Sequence, residues 1–176
     1  FANALKAVAP EGQVWLMTHD MKYDDEPTHT NVLFQLKRLM ELVGPEDTLI
    51  FFFSGHSMSK DGKHYLLSVN ADPRTSETLE SSSISVDGLR QLFSQCRARQ
   101  VVLCLDGCRN VPDAGKGDTD NLLTEDFVKG FTGQPRKPEQ IRQNFAVLFA
   151  CSVGERAYEW PEKGQGVFSY FLVRGF

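Results

Sequence analysis

Apolar positions along this chain fall into two periods, and the alternation between them sets the expected order of elements. Runs rich in β-branched and aromatic residues stand at "QVWLM" (Gln13–Met17), "TLIFFF" (Thr48–Phe53), "VVLCLD" (Val101–Asp106) and "NFAVLFA" (Asn144–Ala150). Between the first two, Val32, Leu36, Leu39, Met40 and Val43 recur at helical spacing before "GPED", which predicts a strand, a helix and a strand. The pattern repeats with Leu89, Leu92, Phe93 and Cys96 on one helical face, Ser85 as a cap, and "VVLCLD" as the next strand. A short helix is expected around Thr124 to Val128 and a final apolar helix from about Gly166. "FANALKAVA" at the start reads as the second half of a helix, so the chain is expected to be a fragment or processed product.

Strands apolar on both faces that alternate with helices predict an α/β fold, with a mainly parallel sheet covered on both sides. Such sheets carry their sites at the carboxyl ends of the strands. The 176 residues suit a single domain, 1–176, with a long connection at about 107–143 rich in Gly, Asp, Lys and Pro.

Composition narrows the function classes. With 23 acidic against 19 basic side chains the formal charge is −4, and no Lys/Arg run stands out, which argues against nucleic-acid and anionic-membrane partners. No apolar run is long enough to span a bilayer. The 4 cysteines include no C-x-x-C, and no H-x-x-x-H accompanies them, so neither zinc nor another cofactor is expected. Cys104 sits mid-strand and is expected to be packed, and a reducing, cytoplasmic location fits this usage.

The stretch "FFFSGHSMSKDG" (Phe51–Gly62) carries the chemistry and admits two readings. As Gly55-His56-Ser57-Met58-Ser59 it lies one residue from the G-x-S-x-G nucleophile elbow of serine hydrolases. That elbow needs a histidine late in the chain, a helix directly after the serine, and a closing glycine. Here His64 alone lies downstream of Ser57, it falls in the strand-like "KHYLLSV", and Ser59 replaces the glycine. The other reading makes His56 a base for Cys108, which follows "VVLCLD" two βα steps onward. Spacing does not choose between pairs, because His56 with Cys104 and His64 with Cys108 are separated by similar lengths. Position does, since His56 and Cys108 each follow directly after a strand, where loops meet the crevice. Side chains two apart in an extended segment share a side, which groups Ser54 with His56 and Asp106 with Cys108.

"FFFSGHS", "VVLCLDGCRN" and "FACSVGERAYEWPEKGQGVFSYFL" together resemble the three signature blocks of caspase-like cysteine peptidases. That clan holds caspases, paracaspases and metacaspases, and the likeness is greatest to its prokaryotic members. The resemblance runs from about Val14 to the last residue and implies the caspase-like fold, with the family's first strand expected before Phe1. It implies a cysteine endopeptidase with His56 and Cys108 as its dyad and the backbone N–H groups of Ser57 and Cys108 as its oxyanion hole. Ser57 stands where the family usually has glycine, so a caspase-like pseudopeptidase serving as an interaction or signalling module is the alternative.

Caspases that cleave after Asp carry Gln two residues before the Cys and Arg after a Trp in the third block. Here those positions are Asp106 and Pro161 after Trp160, so the resemblance implies a preference for Arg or Lys substrates. Ser54 matches a metacaspase pocket position, and Tyr158, Glu159 and Trp160 are expected to line the groove upstream of the cut bond. The resemblance also implies a protein or peptide substrate and regulation by or fusion to other domains; the long segment after Cys108 stands where caspases are cut between subunits, and its basic residues motivate the hypothesis of autocleavage after Lys116, Lys129, Arg136 or Lys137. Some metacaspases need calcium, yet Asp113, Asp118, Asp120, Glu125 and Asp126 lack EF-hand spacing, and no metal is assigned.

Overall fold

The structure, a computed structural model, describes residues 1–108, 123–132 and 144–175, with the backbone alone at Cys108. Strands β1 (Thr48–Lys60), β2 (Lys63–Leu66), β3 (Ile84–Ser85), β4 (Gln100–Cys108) and β5 (Asn144–Phe149) form one sheet in the order β3-β2-β1-β4-β5. β1, β4 and β5 run parallel, and β2 and β3 add antiparallel pairs at one side. A parallel centre with helices between its strands is the α/β architecture that the alternating periods imply.

β1 extends well beyond its apolar run because it changes partner. It pairs with β4 from Thr48 to His56 and with β2 from Ser57 to Lys60. The β1–β2 hairpin closes through Asp61 (φ 51) and Gly62 (φ 73). Two successive left-handed residues define the type I′ turn that suits strand twist, and Asp-Gly adopts it readily.

Among the described residues the α-helices are α1 (Ala2–Val8), α2 (His29–Leu42), α3 (Ser76–Ser82), α4 (Val86–Ser94), α5 (Glu125–Thr132) and α6 (Val167–Arg174). Four begin on hydroxyl caps: the Asn31 N–H donates to Thr28, the Thr78 N–H to Thr75, the Gly88 N–H to Ser85 Oγ at 3.0 Å, and the Phe127 N–H to Thr124 Oγ1 at 3.3 Å. α6 begins on Gly166, which has no side chain to cap it.

The core lies on one face of the sheet. Leu49, Val101, Leu103 and Leu105 occupy odd strand positions and pack with Leu36 of α2, Leu89 and Phe93 of α4, and Phe127 and Phe131 of α5. Each fully buried Leu or Phe of this kind stabilises the fold by about 1.5–3 kcal/mol. The even face is covered more thinly than two-sided apolar strands predict. Phe52, Cys104 and Leu148 stand in register there, yet Leu148 is 43% exposed and Phe52 is covered by a stacked Phe1 ring at 4.3 Å. β5 lies at the edge of the sheet and alternates between exposed and half-buried positions.

One expected strand is absent. Gln13–Met17 joins no ladder, and Leu16 within it is 49% exposed. Apolar content favours an extended run, but a strand also needs a hydrogen-bonded neighbour. Among the described residues the edge of β1 away from β4 has no partner between Thr48 and His56. Among them, too, no helix is long and apolar enough to cross a membrane.

Candidate active site

Register, rather than any loop, brings the candidate residues together. The last two even positions shared by β1 and β4 are Ser54 opposite Asp106 and His56 opposite Cys108. Neighbouring strands lie about 4.8 Å apart, so each pair is within reach of two short side chains. His56 and Ser54 are exposed. Neither side chain is hydrogen-bonded to a described residue.

His56 also marks the point where β1 leaves β4 and joins β2. The Leu67 N–H donates to the His56 carbonyl at 2.9 Å, so that carbonyl faces β2. Successive residues of an antiparallel pair alternate in direction, which turns the N–H of Ser57 to the β4 side at the level of Cys108. Ser57 is 2% exposed, and its φ is not positive. A Cβ therefore costs no left-handed strain there. Its side chain faces a small cavity of about 20 Å³ whose wall includes Leu66, Gly107, Phe149, Cys151 and Ala157. The hydroxyl is tucked behind the strand, away from the exposed side of His56.

Asp106 is built in more firmly than a strand-end acid need be. It is 3% exposed, and its Oδ2 accepts the Ser169 N–H at 3.3 Å and the Ser169 hydroxyl. Ser169 is the third residue of α6, so Asp106 supplies from the sheet the cap that Gly166 lacks. A Cβ on Gly166 would lie 2.3 Å from that Oδ2, so the carboxylate packs against bare backbone. Neither Gly166 nor Ser169 was singled out by sequence reasoning. The available signal was a helix start with no capping residue at Gly166, which calls for a cap from elsewhere.

The third block meets this acid through a hairpin. β6 (Glu159–Trp160) pairs with β7 (Gln165–Gly166), which sets Glu159 opposite Gly166. Tyr158 is 67% exposed, and its carbonyl accepts the Val167 N–H at 2.8 Å. Glu159 is exposed as well. Trp160 is half-buried and turned toward α6, with its ring 5.1 Å from Tyr170 and 6.4 Å from Phe171. The Lys163 ammonium lies 5.8 Å from its centroid. Pro161 opens the single 3₁₀ turn after it. Tyr158 and Glu159 thus stay near the acid, while much of Trp160 is used in packing.

Other residues that the sequence marks out stand apart from this cluster. Cys104 is buried, and burial pushes its thiol up from the ordinary range, which suits an inert packed cysteine. His64 contacts Ser59 Oγ at 2.7 Å through Nδ1 and meets Phe127 edge-on, a structural role. Lys129 lies within α5 and pairs with Glu125 at 3.0 Å and Asp126 at 3.9 Å. A bond after it would have to be unwound before cleavage. Lys116, Arg136, Lys137, Asp113, Asp118 and Asp120, with most of the 107–143 connection, lie outside the described residues.

A mixed sheet with a parallel centre, flanked by helices and setting a histidine opposite a cysteine at the carboxyl edge of that centre, makes this an α/β domain of the kind the caspase-like resemblance implies. The caspase domain model matches residues 13–176, and the chain belongs to that family. It is 25% identical over 151 residues to a probable protease of a Desulfuromonadales bacterium, covering 84% of this chain and 17% of that protein. It is 24% identical over 163 residues to the paracaspase of Dictyostelium discoideum, covering 92% of this chain and 33% of that protein. The chain therefore spans a third or less of the length of these curated relatives.

Proposed function

We propose that this domain is a cysteine endopeptidase that cleaves after Arg or Lys, with Cys108 as nucleophile and His56 as general base and acid. The observation that carries this reading is the register of β1 and β4, which opposes His56 to Cys108 and Ser54 to Asp106. A cysteine near its ordinary pKa is only a few per cent thiolate at neutral pH, so it needs such a neighbour. His56 takes the Cys108 proton as sulfur bonds to the scissile carbonyl carbon. It then gives that proton to the leaving amine as the C–N bond breaks. Water attacks the thioester with His56 accepting its proton, and the C–S bond breaks to return the thiol. Proton transfer of this kind contributes roughly 10²- to 10⁴-fold.

The N–H groups of Ser57 and Cys108 would hold the oxyanion. The burial of the Ser57 side chain supports this over the pseudopeptidase alternative, because the serine does not crowd the exposed side of the site. Asp106 would receive the substrate cation, with Ser54 opposite it and Tyr158 and Glu159 beside the groove. Protein substrates, fused or regulatory domains and a cytoplasmic setting complete the proposal.

Fluorogenic peptides ending in Arg, Lys or Asp, assayed with wild type and Cys108→Ala, test it. Turnover after Arg and Lys that vanishes in Cys108→Ala is the expected result. Turnover after Asp alone would overturn the specificity, and wild type without Cys108-dependent turnover would leave the pseudopeptidase.

A further inference from the structure

Resting on the proposed peptidase reading, we infer that Ser169 sets the selectivity between Arg and Lys substrates by occupying one of the two oxygens of Asp106. A carboxylate oxygen offers about two lone-pair sites. Oδ2 of Asp106 has both filled, by the Ser169 N–H at 3.3 Å and by the Ser169 hydroxyl. Both donors are fixed in place. The N–H belongs to the first turn of α6, and Ser169 as a whole is 6% exposed. Gly166 holds the arrangement tight, since a Cβ there would stand 2.3 Å from Oδ2 and 3.0 Å from Oδ1.

Oδ1 takes no hydrogen bond from a described residue. Across the β1–β4 ladder from it stands Ser54, exposed and with no hydrogen bond of its own to a described residue. A substrate cation entering here finds one carboxylate oxygen and one hydroxyl. An ammonium is a compact point charge that can use this pair of single acceptors. A guanidinium gains its usual advantage from a parallel fork on both oxygens of one carboxylate, and Ser169 withholds the second. The site therefore accepts Arg and Lys nearly alike. Ser169 is a positioning residue in this scheme, acting on substrate through Asp106.

The test compares kcat/KM for two fluorogenic peptides that differ only in Arg or Lys before the cut bond. Wild type, Ser169→Ala, Ser169→Thr and Asp106→Asn are assayed alongside thermal denaturation. Wild type should treat the two within a few-fold. Ser169→Ala frees one site on Oδ2 and keeps the N–H cap, so its Arg-to-Lys ratio should rise roughly three- to tenfold, the effect of one added hydrogen bond. Ser169→Thr keeps the hydroxyl and should keep the wild-type ratio. A purely structural role for Ser169 would lower both substrates together and leave the ratio unmoved, which overturns the inference and spares the peptidase reading. Turnover of both peptides that is indifferent to Asp106→Asn, or no turnover of either, would remove the role of Asp106 and this inference with it.

Discussion

The two faces of the β1–β4–β5 sheet are built from the same strands and have opposite characters. At odd positions Leu49, Val101, Leu103 and Leu105 are at most 3% exposed under α2, α4 and α5. At even positions the strands end in Ser54, His56 and Asp106, two of them open and the third held by α6. The faces are nevertheless coupled through register. A slip of one residue would exchange them, so burying the odd positions is what locks the pairing. That locked pairing places His56 opposite Cys108. The core face thus fixes a pairing on the opposite face that it never touches.

The sharpest way to break this division is at His56. Its side chain is exposed, so His56→Ala should change unfolding free energy by no more than about 0.5 kcal/mol. Turnover of a basic peptide should fall by roughly 10²- to 10⁴-fold. Steady-state kinetics with a denaturant melt on the same sample checks both halves. Near-normal turnover would exclude His56 as the base.

The reciprocal change is Leu103→Ala on the core face. Leu103 is fully buried and pairs with Phe51 and Val147 across the ladder. Removing it should cost about 2–5 kcal/mol of stability, read from the shift in denaturation midpoint. Turnover per folded molecule, measured well below the melt, should stay within a few-fold. A large loss of turnover in the folded state would mean that the two faces are less separable than register implies.

Gly166 lies where the faces meet and is best compared with Gly164. Gly166→Ala puts a methyl against the Asp106 carboxylate, so it should cost about 1–3 kcal/mol and depress turnover of basic substrates as well. Gly164 has φ 62 with open space around its would-be Cβ. Gly164→Ala should cost about 1 kcal/mol through backbone strain alone and leave turnover unchanged. Equal effects of the two on turnover would disconnect Gly166 from Asp106.

These contrasts also mark what the chain made legible. Periodicity located α2, α4, α6 and the three parallel strands, because each buries an apolar stripe whose spacing is written locally. The grouping of Ser54 with His56 followed from the same period of two. Three features escaped it. "QVWLM" has a strand's composition without a ladder, and a partner cannot be read from one segment. The continuation of β1 through His56 into a hairpin was signalled by "DG", but the signal was hidden behind a run of polar residues. The bond from Asp106 to Ser169 joins positions 63 residues apart, so only the folded chain reveals it. Sequence marked Asp106 only as the pocket acid that the family resemblance implies, and the fold adds its bonds to the first turn of α6.

The smallest expected effect lies off both faces. Arg74 donates to Asp72 through Nε at 2.8 Å and through its backbone N–H at 3.1 Å, and it pairs with the other carboxylate oxygen at 2.6 Å. These bonds hold the Asp72 carboxyl at about 2, below its ordinary 3.8. A depressed folded-state pKa contributes stability that is complete above about pH 4 and is lost as pH falls through about 2. Asp72→Asn should therefore be slightly less stable than wild type at neutral pH, and the gap should close between about pH 4 and pH 2. Denaturation midpoints across that range give the comparison. Both proteins should cleave basic peptides alike at neutral pH, because this pair touches neither the core face nor the ladder that opposes His56 to Cys108. A change in turnover would show that the loop carrying Asp72 reaches the site through β2, and the separation drawn between the faces would have to be widened to include it.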